Sequence, residues 1–179
     1  MFGITSLPPI SENYKYFLAG FVAGEGSFNV SAKKNKSSRV GLVIDPEFSC
    51  TQHVNGVHYL LAIREVLGTG TLRHKAKSLA TMVLTVDNRE SITKYVLPFV
   101  RKYGDFNYCP YLLEQQERFA QIIKLLDGGA HKDEDRLIND VLPVWDKLRK
   151  QKGQSNQSFS DLEATQKYVR EFSNKKKKR

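Results

Sequence analysis

The chain predicts an α+β fold: helix, two strands, helix, two strands, helix, with extra C-terminal helices after that core. Three observations carry the prediction. A stretch rich in small residues, Leu18-Ala19-Gly20-Phe21-Val22-Ala23-Gly24-Glu25-Gly26, reads as one helix ending on an acid. Strict period-two alternation follows it directly. Helical apolar spacing then separates this first hairpin from a second one.

In the first helix, Gly20 and Gly24 lie four apart and share one face. Each glycine costs a helix interior roughly 1 kcal/mol relative to alanine. Two on one face, with Ala19 and Ala23 beside them, predict another backbone passing very close. Glu25 sits where the helix should end, and the macrodipole disfavours a negative charge there. An acid so placed beside a close helix contact points to a metal-binding carboxylate at an interface.

Phe28, Val30 and Ala32 then point one way, and Ser27, Asn29, Ser31 and Lys33 the other. A polar turn covers Lys34 to Ser38, and a returning strand runs from Arg39 or Val40 to Ile44. Asp45-Pro46 is expected to break the ladder, since proline lacks a donor, with pairing resumed over Glu47 to Gln52. Val57, Leu60, Leu61, Ile63, Val66 and Leu67 predict a helix over Gly56 to Leu67, stopped by Gly68-Thr69-Gly70. The second hairpin uses Thr71 to Lys75 and Thr81 to Val86, and Asp87-x-x-Glu90 reads as a capping box for a helix reaching Val100.

Helices are expected beyond the core at about Leu112 to Leu126 and at Glu134 to Lys150, the latter kinked at Pro143. A polar linker, Gln151 to Ser158, precedes a last helix capped by Ser160-x-x-Glu163 and ending near Phe172. Leu125-Leu126-Asp127-Gly128-Gly129 loosely mimics the first motif. No strand pattern follows it, so it reads as a glycine-rich helix stop.

The nonapeptide at 18–26 resembles the motif that names the LAGLIDADG homing endonucleases. Leu18, Ala19 and Gly20 match directly, Phe21-Val22 replace Leu-Ile, Gly24 replaces the second small residue, and Glu25-Gly26 stand for the final Asp-Gly. Ala23 departs from the pattern by taking the place of the first aspartate, an acid that is commonly structural in the family. The segment Asp45 to Gly56 resembles the strand by which the single-motif branch delivers a glutamine to its active site. Phe48 to Asn55, Arg73-His74-Lys75 and Gly153-Gln154-Ser155-Asn156 are similar to the green-algal chloroplast enzymes encoded by large-subunit rRNA introns. The resemblance runs from about Tyr16 to Phe172, so the chain reads as one endonuclease domain over 1–174 with a basic tail at 175–179. A single motif copy implies a homodimer, joined through Ala19, Gly20, Ala23 and Gly24.

The formal net charge is +9, of which Lys175 to Arg179 carry five, leaving +4 on the rest. Such a run serves either as a nucleic-acid arm or simply as a terminal tract. A hydrophobic content of 40% over 179 residues supports one globular core. No run of about 18 apolar residues is present, so no membrane span is expected. Met1 to Asn13 lacks the basic and apolar regions of a secretory signal, which fits synthesis inside an organelle, the chloroplast by the algal resemblance. Cys50 and Cys109, and histidines 53, 58, 74 and 131, form no zinc pattern.

The polar faces of both hairpins carry long donors: Asn29, Ser31, Lys33, Lys34, Lys36 and Arg39 in the first, Thr71, Arg73, Lys75 and Lys77 in the second. A two-stranded ribbon fits the major groove of double-stranded DNA, where such donors read guanine and adenine edges. Lysines at the turns reach phosphates instead, giving affinity without sequence information. The other reading of both faces is a solvated outer sheet. The resemblance implies that Glu25 and the carbonyl of Gly24 bind Mg²⁺, that Gln52 positions the hydrolytic water, and that DNA is cut on both strands with short 3′ overhangs. It brings Lys102 or Arg118 toward the scissile phosphate, or neither, both also reading as surface charge. Histidines 53 and 74 read as structural or DNA-facing. The rival readings are an RNA-binding intron maturase and a non-catalytic DNA-binding relative.

Overall fold

A computed structural model describes residues 7–150 and 159–177. The linker 151–158, including Gly153 to Asn156, lies outside the described residues, as do 1–6 and the last two residues of the basic tail. The elements are α1 (Glu12–Glu25), β1 (Gly26–Lys34), β2 (Leu42–His53), α2 (Val57–Leu67), β3 (Thr71–His74), β4 (Thr81–Val86), α3 (89–103), α4 (Pro110–Asp127), α5 (134–149) and α6 (Leu162–Lys177). The four strands form one antiparallel sheet in the order β1-β2-β4-β3. The expected α-β-β-α-β-β-α core and the extra C-terminal helices are therefore present. Two compact units are distinguished, Met1–Phe28 with Glu47–Leu112 and Asn29–Pro46 with Leu113–Arg179, and β1 and β2 each run from one into the other.

In the first unit, Ser11 caps α1 by accepting a hydrogen bond from the Tyr14 amide at 3.2 Å. Leu18, Ala19 and Val22 form the buried face of α1. Gly20 stands two residues from Leu18, about 200° round the helix, and therefore faces away from that core. The register of β2, β4 and β3 sorts their side chains by row. Phe48–Val86, Cys50–Leu84–Leu72 and Gln52–Met82–His74 share one face, with Phe48, Cys50, Leu84, Met82 and Val86 buried. Ser49–Thr85–Thr71, Thr51–Val83–Arg73 and His53–Thr81 share the other. Gly68, at φ +63°, closes α2 in the left-handed conformation. The first turn of α3 is capped by Asn88, which accepts from the Ser91 amide at 2.9 Å, so the expected Asp87 cap lies one residue early.

Strand β2 runs unbroken through Asp45-Pro46, contrary to the expected interruption. Pairing with β4 begins only at Phe48, so Pro46 stands where one side of β2 has no strand to demand its missing donor.

In the second unit, the β1–β2 turn closes through Asn35 N–H to Gly41 O at 2.8 Å and Ser38 N–H to Asn35 O at 3.2 Å. Trp145 of α5 donates its indole N–H to the Val30 carbonyl at 2.8 Å, tying that helix to β1. At Pro143, where a kink is expected, a π turn, Leu137–Val141, precedes the proline, and a matching turn, Ile92–Val96, precedes Pro98 in α3. A proline ring clashes with the carbonyl four residues back, and the wider turn relieves that clash. Leu125 to Gly129 is indeed a helix stop: α4 ends at Asp127 and Gly129 is left-handed at φ +77°. Helix α6 is capped by Asp161, which accepts from the Ala164 amide at 2.7 Å, in place of the expected Ser160. It continues five residues past Phe172, carrying Lys175 to Lys177 into the helix. Among the described residues, no helix is long and apolar enough to cross a membrane.

Candidate functional site

Glu25 is the last residue of α1, and β1 starts at the next residue. The final helical bond runs from Gly26 N–H to Val22 O, leaving the carbonyls after Val22 outside the helix ladder. Glu25 and Gly24 are both exposed, so a carboxylate and an adjacent backbone carbonyl stand together at the helix end. Such hard oxygen donors suit a hard divalent cation like Mg²⁺. Among the described residues, no group of three or more His, Cys, Asp or Glu stands close enough to hold a metal ion.

Both Gly20 and Gly24 of α1 are exposed. A Cβ built on Gly20 or on Gly24 meets nothing within 4 Å. Among the described residues, no packing explains either glycine, although each costs helix stability. Ala23 is half-buried beside them. Ala19 differs from expectation: it is 1% exposed and packs with Leu18 and Val22 inside its own protomer. One residue before Gly20 is a 100° rotation, enough to turn it into the core.

Glu25 lies close to Cys50. The Cys50 thiol is pushed up to about 12, chiefly by burial and secondly by the Glu25 carboxylate. It therefore stays protonated at neutral pH. Gln52 stands two residues further along β2 on the same face as Cys50, about 7 Å on. Its Oε1 accepts the His53 amide at 2.7 Å, which leaves Nε2 as a donor. Gly56 makes room for this fold-back, for a Cβ there would lie 2.8 Å from Gln52 Cγ and 3.2 Å from Cδ. Sequence reasoning missed Gly56, and only the folded-back glutamine reveals it.

Lys102 is not brought to this site. Its Nζ lies 3.2 Å from Glu12 Oε1, at the opposite end of α1. Thirteen residues separate Glu12 from Glu25, about 20 Å along the helix at 1.5 Å per residue. Glu12 also accepts from Tyr103 Oη at 2.9 Å and from Lys15 Nζ at 2.9 Å. These donors, Lys15 first, hold its carboxyl down at about 2. Arg118, in the second unit, is engaged by Glu114 at 2.7 Å in an i,i+4 pair on α4.

Thr71 and Arg73 share the polar face of their ribbon with Ser49, Thr51, His53 and Thr81. Ser49, Thr51 and Thr81 were passed over, although alternation along Glu47 to His53 contained the signal for the first two. Lys75 N–H closes the ribbon on Thr81 O at 2.8 Å, and Lys77 stands at the turn with φ +64°. In the second unit Asn29, Lys33, Lys36 and Arg39 are exposed and Ser31 is half-buried. Lys33 pairs with Asp45 at 3.3 Å. Lys34 departs from the expected face. It follows Phe28, Val30 and Ala32 in the two-residue period and lies 4.9 Å from the Tyr168 ring centre and 5.2 Å from that of Phe159.

A model of the LAGLIDADG endonuclease family matches residues 18–127. The chain is 46% identical to DNA endonuclease I-CeuI of Chlamydomonas moewusii over 172 residues, 96% of this chain and 78% of that protein. The structure of I-CeuI, an intron-encoded homing endonuclease complexed with DNA, superposes with a TM-score of 0.86 at 44% identity, covering 92% of this chain and 79% of that one. The archaeal intron-encoded homing endonuclease I-Vdi141I, also complexed with DNA, gives 0.76 at 30% identity over 92% and 99% of the two chains. Sequence, fold and the carboxylate-tipped helix agree: this chain belongs to the LAGLIDADG endonuclease family.

Proposed function

We propose that this protein is a site-specific homing endonuclease that works as a homodimer. It makes a Mg²⁺-dependent double-strand break, with short 3′ overhangs, in a long pseudo-palindromic DNA site within the large-subunit rRNA gene. The observation that carries the reading is Glu25 at the end of a helix whose Gly20 and Gly24 face open space. Two protomers meeting on that face bring two such carboxylates together, one for each strand. Residues 1–174 act as one endonuclease domain, and the algal relative supports an organellar setting, the chloroplast.

Glu25 and the Gly24 carbonyl would hold the metal. When bound, the ion lowers the pKa of a coordinated water and stabilises the charge on the leaving oxygen. Glu25 contributes a negative charge that the helix dipole disfavours, and this destabilisation is offset once a cation sits there. Gln52 has no titratable proton, so its role is to orient the water by donation from Nε2. Arg73 and Asn29 suit guanine and adenine edges, while Lys36, Arg39, Lys75 and Lys77 at the turns suit phosphates.

The test is cleavage of intronless large-subunit rRNA-gene DNA by the purified protein, in Mg²⁺ or EDTA, beside Glu25→Gln. A Mg²⁺-dependent double-strand cut, reduced at least a hundred-fold in the variant, is the expected result. Tight specific binding without a cut would remove the catalytic role and leave a DNA-binding relative. Absence of both cutting and binding would move the RNA-binding maturase forward.

A further inference from the structure

The last turn of α6 is seated on the turn that joins β1 to β2. Gly41, at the end of that turn, has φ +77°, a left-handed value that suits glycine. A Cβ there would lie 2.4 Å from Cγ of Phe172, so the hairpin backbone rests directly on the ring. Tyr168 Oη donates to the Gly41 carbonyl at 3.2 Å. The Lys34 ammonium lies over the Tyr168 ring at 4.9 Å. One turn beyond Phe172, Lys176 Nζ donates to the Ser38 carbonyl at 3.2 Å. Four contacts thus fix the C-terminal part of α6 to the eight-residue stretch Lys34 to Gly41, which also carries Lys36 and Arg39.

Docking has an electrostatic consequence. Lys36, Arg39, Lys175 and Lys176 are all exposed, and the Lys176 bond holds the helix end against the turn between Lys36 and Arg39. Arg39, Lys132 and Lys176 line one hollow together with Asp133, Glu134 and Asp135. Asp133 is occupied as the cap of α5, accepting from the Arg136 amide at 2.9 Å. Lys36 and Lys175 do not line that hollow. Cations at the C-terminal end of a helix are stabilised by its dipole, which keeps this cluster ordered although its members repel one another.

We propose that the end of α6 is a phosphate-contacting arm, which the aromatic seat joins to the first hairpin. Its occupant is the sugar-phosphate backbone of duplex DNA beside the bases that the hairpin faces. The inference rests on the DNA reading of that hairpin and adds a contact made by a separate element. Contacts of this kind raise affinity uniformly and carry no sequence information. Each phosphate neutralised contributes about 0.9 to the slope of log K against log salt.

The experiment compares wild type with Lys175→Gln/Lys176→Gln for binding to a random-sequence 40-base-pair duplex between 50 and 200 mM salt. The control is Lys94→Gln/Lys124→Gln, which removes the same charge elsewhere. The salt slope should fall by about 2 in the arm variant and stay unchanged in the control. An unchanged slope in the arm variant, or an equal fall in both, would overturn the arm while leaving the endonuclease reading intact. Failure of wild type to bind the duplex at all would instead remove the DNA reading on which the arm depends. Lys175→Gln alone, which leaves the Lys176–Ser38 bond in place, should lower the slope by about 0.9. That single variant settles the matter if the double variant unfolds.

Discussion

Replacing Gly20 by alanine separates what α1 does inside one protomer from what it does between two. Gly20 lies in the helix interior, and a Cβ there meets nothing within 4 Å. Within the protomer the change is therefore all gain, about 1 kcal/mol from helix propensity. For a domain of this size that raises the unfolding midpoint of the monomer by roughly 2–4 °C. If a second α1 packs on this face, the added methyl enters a close contact and costs about 1–3 kcal/mol. Two-fold symmetry places it there twice, for about 2–6 kcal/mol in total. Dimerisation should then weaken from roughly thirty-fold to more than ten-thousand-fold. Sedimentation equilibrium of wild type and Gly20→Ala measures the second effect, and thermal unfolding at concentrations where both are monomeric measures the first. A variant that gains stability as a monomer yet dimerises with undiminished affinity would refute the reasoning, because the glycine would then serve no interface.

Two further outcomes are expected. Gly56→Ala should lower the cleavage rate roughly ten- to a hundred-fold with little change in the urea midpoint, because its Cβ displaces the Gln52 side chain 2.8 Å away while φ at this residue, −101°, suits alanine; cleavage unaffected by Gly56→Ala but lost in Gln52→Ala would count against the positioning role. The cluster around Glu12 should carry an acid-dependent share of stability. Its folded carboxyl sits at about 2, below the ordinary value near 4.3, so its contribution is fully present above the ordinary value and fades as pH falls through about 2. The difference in urea midpoint between wild type and Glu12→Gln should therefore be full at pH 6 and vanish toward pH 2, and a difference that grew on acidification would refute the pairing.

Periodicity and short-range chemistry carried most of the fold into the sequence. The order of the core elements, the exposed alternation of Asn29 and Lys33, the Gly128-Gly129 stop and the odd pairing of glycines with Glu25 were all legible, because each depends on neighbours a few residues away. Caps were misplaced by a residue at Asp87 and Ser160 because two adjacent polar residues compete for one amide, and backbone geometry chooses between them. The strand through Pro46 depended on where β4 begins its pairing, which local sequence does not state.

What the sequence determined by itself was the family, the core topology and the candidate metal carboxylate, since a motif with glycines at i and i+4 and an acid at the helix end is local information. Tertiary structure alone decided where the other candidate residues stand. Lys102 is held by Glu12 about 20 Å away along α1, Ala19 turns into its own core, and Lys34 lies against Tyr168. It alone placed the end of α6 on the hairpin turn, 138 residues away along the chain, through Phe172 on Gly41 and Lys176 on Ser38. Such contacts follow from how packed elements present their faces in space, and no spacing rule along the chain encodes them.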